Sequence, residues 1–196
     1  MTDVLHALRC VGFAGVGRLA EAAGRPESEL ESELLDLAAV GLVRYEPGPF
    51  GGWGLTDAGR AEDARRTAAE LGGARPAVAG AYERFLVLNP LLLDLCTAWQ
   101  LRPVGGAAVL NDHRDRAYDA RVLDRFVDLD RRAAEVCAEL AGALPRFGRY
   151  RVRLATALDR ARAGALDQVT DATSSYHAVW FQLHEDLLAT LGIPRR

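Results

Sequence analysis

Lysine is absent from this chain, and all 24 of its basic residues are arginine. With abundant Ala, Gly and Leu, this is a bias of coding rather than a clue to chemistry. Cysteine is scarce. Cys10, Cys96 and Cys137 are far apart, odd in number and without a C-x-x-C pair, which argues against a disulfide framework or a cysteine-rich zinc site. They read as buried small hydrophobes, and no metal or other cofactor is expected. No apolar run reaches the roughly 20 residues needed to cross a bilayer. The most apolar stretch, Phe85 to Leu101, is broken by Asn89, Pro90 and Asp94, and reads as a buried core hairpin. Met1-Thr2-Asp3-Val4 lacks a basic region followed by an apolar one, so no secretory signal, no membrane partner and a cytoplasmic location are expected. The four serines (Ser28, Ser32, Ser174, Ser175) sit in no nucleophile elbow. Gly12, Gly15 and Gly17 follow no strand and match no phosphate loop. No catalytic motif survives.

What is present is enough for a folded protein: 196 residues, 49% of them apolar, hold one ordinary domain or two small ones. Apolar periodicity predicts short helices over residues 2–9 and 16–23. A third helix begins at about Pro26–Ser28 and ends at Gly41. Leu42 to Tyr45 and Trp53 to Thr56 read as two strands of a hairpin with Pro47–Gly52 at its tip. A helix capped by Thr56 or Asp57 then runs to Leu71, and Gly72-Gly73 with Pro76 closes the domain.

This order, with "VGRLAEAAGRPESELESELLDLAAVGLVRY" (16–45) and "LTDAGR" (55–60), resembles the winged helix-turn-helix of MarR-type bacterial regulators over about the first 72 residues. Because the helical mass follows the wing instead of flanking it, the arrangement also resembles PadR-type proteins. The resemblance implies a mainly α fold: an N-terminal winged helix (1–73: three helices plus a two-stranded wing), then a helical effector or dimerisation bundle (74–196). It further implies a homodimer that binds DNA and responds to a small molecule.

The second half reads as helical throughout. Helices are predicted over 77–88 and 91–101, split at Asn89-Pro90, and over 116–144, 149–162 and 174–191, with a Gly-rich loop at 102–112. In the 116–144 segment Tyr118, Val122, Phe126, Leu129, Ala133, Val136 and Leu140 recur at three- or four-residue spacing.

Charge opposes simple DNA recognition. The second helix of the motif, "PESELESELLDLAAVG", carries Glu27, Glu29, Glu31, Glu33 and Asp36 and no arginine, and residues 1–72 hold seven arginines against twelve acids. DNA-contacting surfaces are usually basic. The cations available for DNA are Arg18 and Arg25 at the helix-turn-helix and Arg44, Arg60, Arg65 and Arg66 around the wing. Alternatively, the acidic carboxylates suit the helix dipole in the first turn.

Three constellations lie in the second half. "NDHRDRAYD" (111–119) offers Asn111 or Asp112 as a helix cap, with His113, Asp115 and Asp119 beside it. "YHAVWFQLHEDLL" (176–188) places His177 and His184 on one side of a helix, too far apart for one metal. With Trp99, Tyr118, Tyr176 and Trp180, the histidines His113, His177 and His184 compose an aromatic ligand pocket. Arg146, Arg149, Arg153 and Arg160 share one helical face, for an anion or for salt bridges to the long helix. The readings that follow are a ligand-responsive regulator, a winged helix that has become a protein-interaction module, or an enzyme using His113, His177 and His184.

Overall fold

The computed structural model describes residues 3–48 and 51–194, which contain eight α-helices and two two-stranded antiparallel sheets. Pro49 and Phe50, in the expected hairpin tip, lie outside the described residues. None of the described helices is long and apolar enough to cross a membrane. The chain divides into two units, one of residues 1–76 with 182–196, the other of residues 77–181. The C-terminal part of the helical half expected over 74–196 groups instead with the N-terminal unit, from residue 182 on.

In the first unit, Asp3 caps α1 (Val4–Val11) by accepting from the Leu5 N–H at 2.9 Å. Helices α2 (Val16–Ala23) and α3 (Glu27–Ala39) follow, then a hairpin of β1 (Val43–Glu46) and β2 (Gly52–Leu55), then α4 (Asp57–Leu71). Leu5 and Leu8 on α1, Leu19 on α2, Leu30 and Leu34 on α3, Val43 and Leu55 on the strands form one core. Three-residue spacing on α1 and four-residue spacing on α3 put these side chains on one stripe of each helix. Each fully buried leucine contributes roughly 1.5–3 kcal/mol of transfer free energy. Across the hairpin Tyr45 faces Trp53, their rings 5.2 Å apart. Trp53 also exchanges backbone hydrogen bonds with Ala14 (2.8 and 3.1 Å), so a single residue between α1 and α2 bridges the other edge of β2.

The turn "LTDAGR" is explained residue by residue. Leu55 enters the core. The Thr56 hydroxyl caps α4, accepting from the Gly59 N–H at 3.0 Å and donating to the Gly41 carbonyl at 2.7 Å. Arg60 donates to the Leu55 carbonyl at 3.0 Å and pairs with Asp57. A short motif thus fastens the end of α3, the hairpin and the start of α4.

The second unit begins within α5 (Arg75–Gln100) and continues through a hairpin, β3 (Leu101–Val104) and β4 (Ala107–Leu110), to α6 (Arg116–Ala143) and α7 (Gly148–Arg162). The last helix, α8 (Tyr176–Leu191), crosses from this unit into the first. Phe85, Leu92, Trp99, Phe126, Leu140, Phe147 and Leu154 are fully buried.

Three expectations are corrected here. Residues 85–101 are not a hairpin and Asn89-Pro90 is not a break: α5 runs through Pro90. Pro90 removes the hydrogen bond to the Leu86 carbonyl, but both residues are exposed, so water can satisfy that oxygen. The Gly-rich segment after α5 is a β-hairpin, with Leu101 opposite Leu110 and Val104 opposite Ala107. Gly105 and Gly106 both have positive φ (58° and 84°), as a two-residue turn matched to strand twist requires. Finally, α6 is capped by Asp115, which accepts from the Tyr118 N–H at 2.9 Å, and not by Asn111 or Asp112.

Candidate functional site

Of the six arginines expected at DNA, Arg18 is exposed on α2, and the other five are ion-paired. Arg25 binds Glu33 at 2.6 Å and approaches Glu29 at 3.6 Å; Arg44 pairs with Glu46 at 3.0 Å and Arg60 with Asp57. Arg65 and Arg66 both hold Glu62, and Arg66 reaches Asp3 at 2.8 Å. Hydrogen bonds from Arg65 and then Arg66 hold the Glu62 carboxyl down to about 2. On α3, Glu27, Glu29, Glu31 and Asp36 are exposed, as is Leu35. Most of the acidic helix face is therefore at the surface.

In the second unit the aromatic residues, with His113 and His177, gather into two groups. Trp99, His113 and Tyr118 meet where α5, its following hairpin and α6 converge. The His113 ring lies 4.6 Å from that of Trp99 and its Nδ1 is 3.1 Å from Asp119. Asn111 Nδ2 donates to the Trp99 carbonyl (2.9 Å) and to Asp119 (2.8 Å), the role it takes up instead of capping. The Tyr118 hydroxyl lies 2.7 Å from the Ala98 carbonyl and 3.0 Å from that of Leu101. His113 is the one non-glycine residue with positive φ (56°) among the described residues, its backbone N–H donating to the Asn111 side chain at 3.2 Å. Beside it a groove of about 190 Å³ is lined by His113, Arg116, Asp119, Leu123, Arg162 and Leu166, among others. Trp99 itself is fully buried, so it backs the histidine from within the core.

The other group is core. Trp180 stacks on Phe85 at 4.7 Å and donates from its indole N–H to Asn89 at 3.0 Å. Tyr176 is fully buried and donates to Asp130 at 3.1 Å, while Arg151 grips the same carboxylate with two bonds of 2.7 and 2.8 Å. Burial, with the Asp130 charge behind it, pushes the Tyr176 phenol well above its ordinary value. His177 is half-buried in this unit, and its backbone N–H donates to the Val169 carbonyl at 3.1 Å. His184 is half-buried in the first unit. Three of the four arginines pack on rings: Arg146, just before α7, over Phe147 at 4.5 Å, and Arg149 and Arg153 on α7 over Tyr150 at 4.7 and 6.0 Å.

A buried polar cluster of the first unit is one that sequence reasoning missed. In the first unit His6 on α1 lies between two carboxylates, with Nδ1 3.1 Å from Asp63 on α4 and Nε2 3.0 Å from Asp186 on α8. The Cys10 sulfur is 3.6 Å from the same Nε2. Thr67 approaches His6 Nδ1 at 3.3 Å, and the Thr190 hydroxyl lies 2.6 Å from the Asp186 carbonyl and 3.1 Å from its carboxylate. All six residues are buried. Burial on its own would lower the His6 pKa, but the charges of Cys10 and Asp186 and hydrogen bonds to Asp186 and Asp63 outweigh it and hold the pKa well above the ordinary value. The available signal was "HALRC": a histidine and a cysteine four apart at the start of the chain share one helix face. Nothing local pointed to Asp186, 180 residues away.

Comparison of the chain with protein-family models, with curated sequences and with solved structures finds no match.

Proposed function

We propose that residues 3–71 are a winged-helix domain and that the protein is a ligand-responsive regulator that binds DNA as a dimer. The carrying observation is the order of elements with its extra bridge: three helices, a hairpin bridged to Ala14 between the first two, and a fourth helix locked on by the Thr56–Gly59 turn. In such a domain the second helix of the motif enters the major groove and the wing lies along the backbone. Surface ion pairs such as Arg44–Glu46 contribute about 0–1 kcal/mol, so phosphates compete readily for these arginines. Exposed carboxylates on α3 are suited to accepting from cytosine amino groups. In the second unit, the groove beside His113, with Arg116 and Arg162 on its walls, suits a small anionic effector.

Fluorescence anisotropy with the protein's own upstream DNA and a scrambled duplex, across a salt titration, tests this reading. Sequence-preferring binding that weakens with salt, and weakens further in Arg18→Ala and Arg44→Ala, supports it. A folded protein that binds neither duplex at low salt overturns it.

A second reading has its own observation. The exposed face of α3 combines Glu27, Glu29, Glu31 and Asp36 with Leu35, which is 58% exposed; that composition matches a basic protein partner better than a polyanion. Failure to bind DNA, together with binding to a partner that Glu31→Arg abolishes, would establish it.

A further inference from the structure

The buried cluster of the first unit has the composition and spacing of a metal site. We infer that His6 Nε2, Cys10 Sγ and an Asp186 carboxylate oxygen bind a divalent transition-metal ion of the zinc class. The proposal is independent of whether the domain contacts DNA.

Three observations carry it. First, these three atoms lie within 4.8 Å of one another, and two of their separations fit a tetrahedral ion. Typical zinc bond lengths place an imidazole nitrogen about 3.6 Å from a thiolate sulfur and about 3.3 Å from a carboxylate oxygen. Here Nε2 is 3.6 Å from Sγ and 3.0 Å from the Asp186 oxygen, so small side-chain movements admit the ion.

Second, the ligands are oriented from behind. Histidine ligands almost always give their other nitrogen to a carboxylate or carbonyl. His6 Nδ1 is held by Asp63 at 3.1 Å, and Asp186 by Thr190 at 3.1 Å.

Third, the donor set selects. One soft sulfur, one imidazole and one carboxylate suit zinc and its neighbours, whereas magnesium and calcium prefer oxygen alone. His6 and Cys10 come four apart on one helix and Asp186 from the far end of the chain, so the ion would fasten α1 to α8 within the first unit. On binding, the proton on Nε2 and any on Sγ leave to solvent.

The full chain, stripped with a chelator and titrated with Co²⁺, tests the site. Saturation at one equivalent with a thiolate-to-cobalt charge-transfer band, bleached by Zn²⁺, is expected. Cys10→Ser should remove that band while circular dichroism shows an unchanged fold; Cys96→Ser and Cys137→Ser should retain it. Asp63→Asn should weaken Zn²⁺ binding about 10–100-fold, as loss of an orienting partner does. Because Cys10→Ser puts a hydroxyl at a buried position, zinc-edge X-ray absorption on the unaltered protein gives an independent reading, with one sulfur and at least one imidazole in the zinc shell expected. Loss of all zinc on dialysis, a zinc shell without sulfur, or a charge-transfer band that survives in Cys10→Ser would overturn the proposal.

Discussion

Gly59 in the first turn of α4 lies directly against the backbone carbonyl of Leu42, at a point where a Cβ would be driven into the carbonyl oxygen. The contact sets the entry of α4 onto the hairpin, and it identifies why the fifth residue of "LTDAGR" is glycine. In an ordinary helix position, Gly→Ala gains up to about 1 kcal/mol. Here Gly59→Ala should lose about 2–3 kcal/mol, the cost of forced overpacking, read as a lower urea midpoint. A neutral or stabilising result would mean that α4 can shift away from Leu42 at little cost.

The His6 cluster gives the metal-free protein a particular pH dependence. A histidine whose folded pKa is raised contributes stability that is fully present below its unfolded value, about 6.5, and is lost as pH rises through the folded value. With chelator present, the urea midpoint should therefore fall as pH rises from 6 into the alkaline range. His6→Gln should flatten that slope. A midpoint that rises over the same interval would contradict the raised pKa.

Cys96 and Cys137 are predicted to be inert in the native state. Burial pushes the Cys96 thiol up to about 12 and the Cys137 thiol up to about 11, so neither supplies thiolate at pH 8. Titration with a thiol reagent at pH 8 should label both slowly until denaturant is added. These shifts also remove stability above about pH 9, separate from the loss assigned to His6.

Asp130 joins α6 to α7 through Arg151 and to α8 through Tyr176. Asp130→Ala strands a buried phenol and a partly exposed guanidinium and should cost about 2 kcal/mol, most of it from the phenol left without an acceptor. The double variant Asp130→Ala, Arg151→Met should recover part of that loss, measured by chemical denaturation.

The first unit was largely legible because its elements are signalled locally: apolar spacing for the helices, Thr56 for a cap, and alternating strand residues around a Pro/Gly-rich tip. The long helix α6 was legible for the same reason. Pro90 misled because its effect depends on whether the carbonyl one turn back faces water, which the sequence does not state. Gly105 and Gly106 read as loop because four-residue strands carry too little periodicity to distinguish. The ligand-type residues fared worse. Tyr176 and Trp180 are core, and the buried polar cluster of the first unit joins His6 to Asp186, a pairing that no local pattern announces. Asn111 shows the limit in miniature: it stood in a capping position by sequence, yet tertiary partners claimed its amide.

The helix α8 begins in one unit and ends in the other, and the first unit draws on residues from both ends of the chain. During synthesis on the ribosome, α1 to α4 emerge before residues 77–181, whereas Asp186 and Leu191, whose carbonyl accepts from Arg75 at 3.1 Å, emerge after them. The unit that is translated first is therefore completed last. Until Asp186 emerges, only one of the two carboxylates that hold His6 has been made.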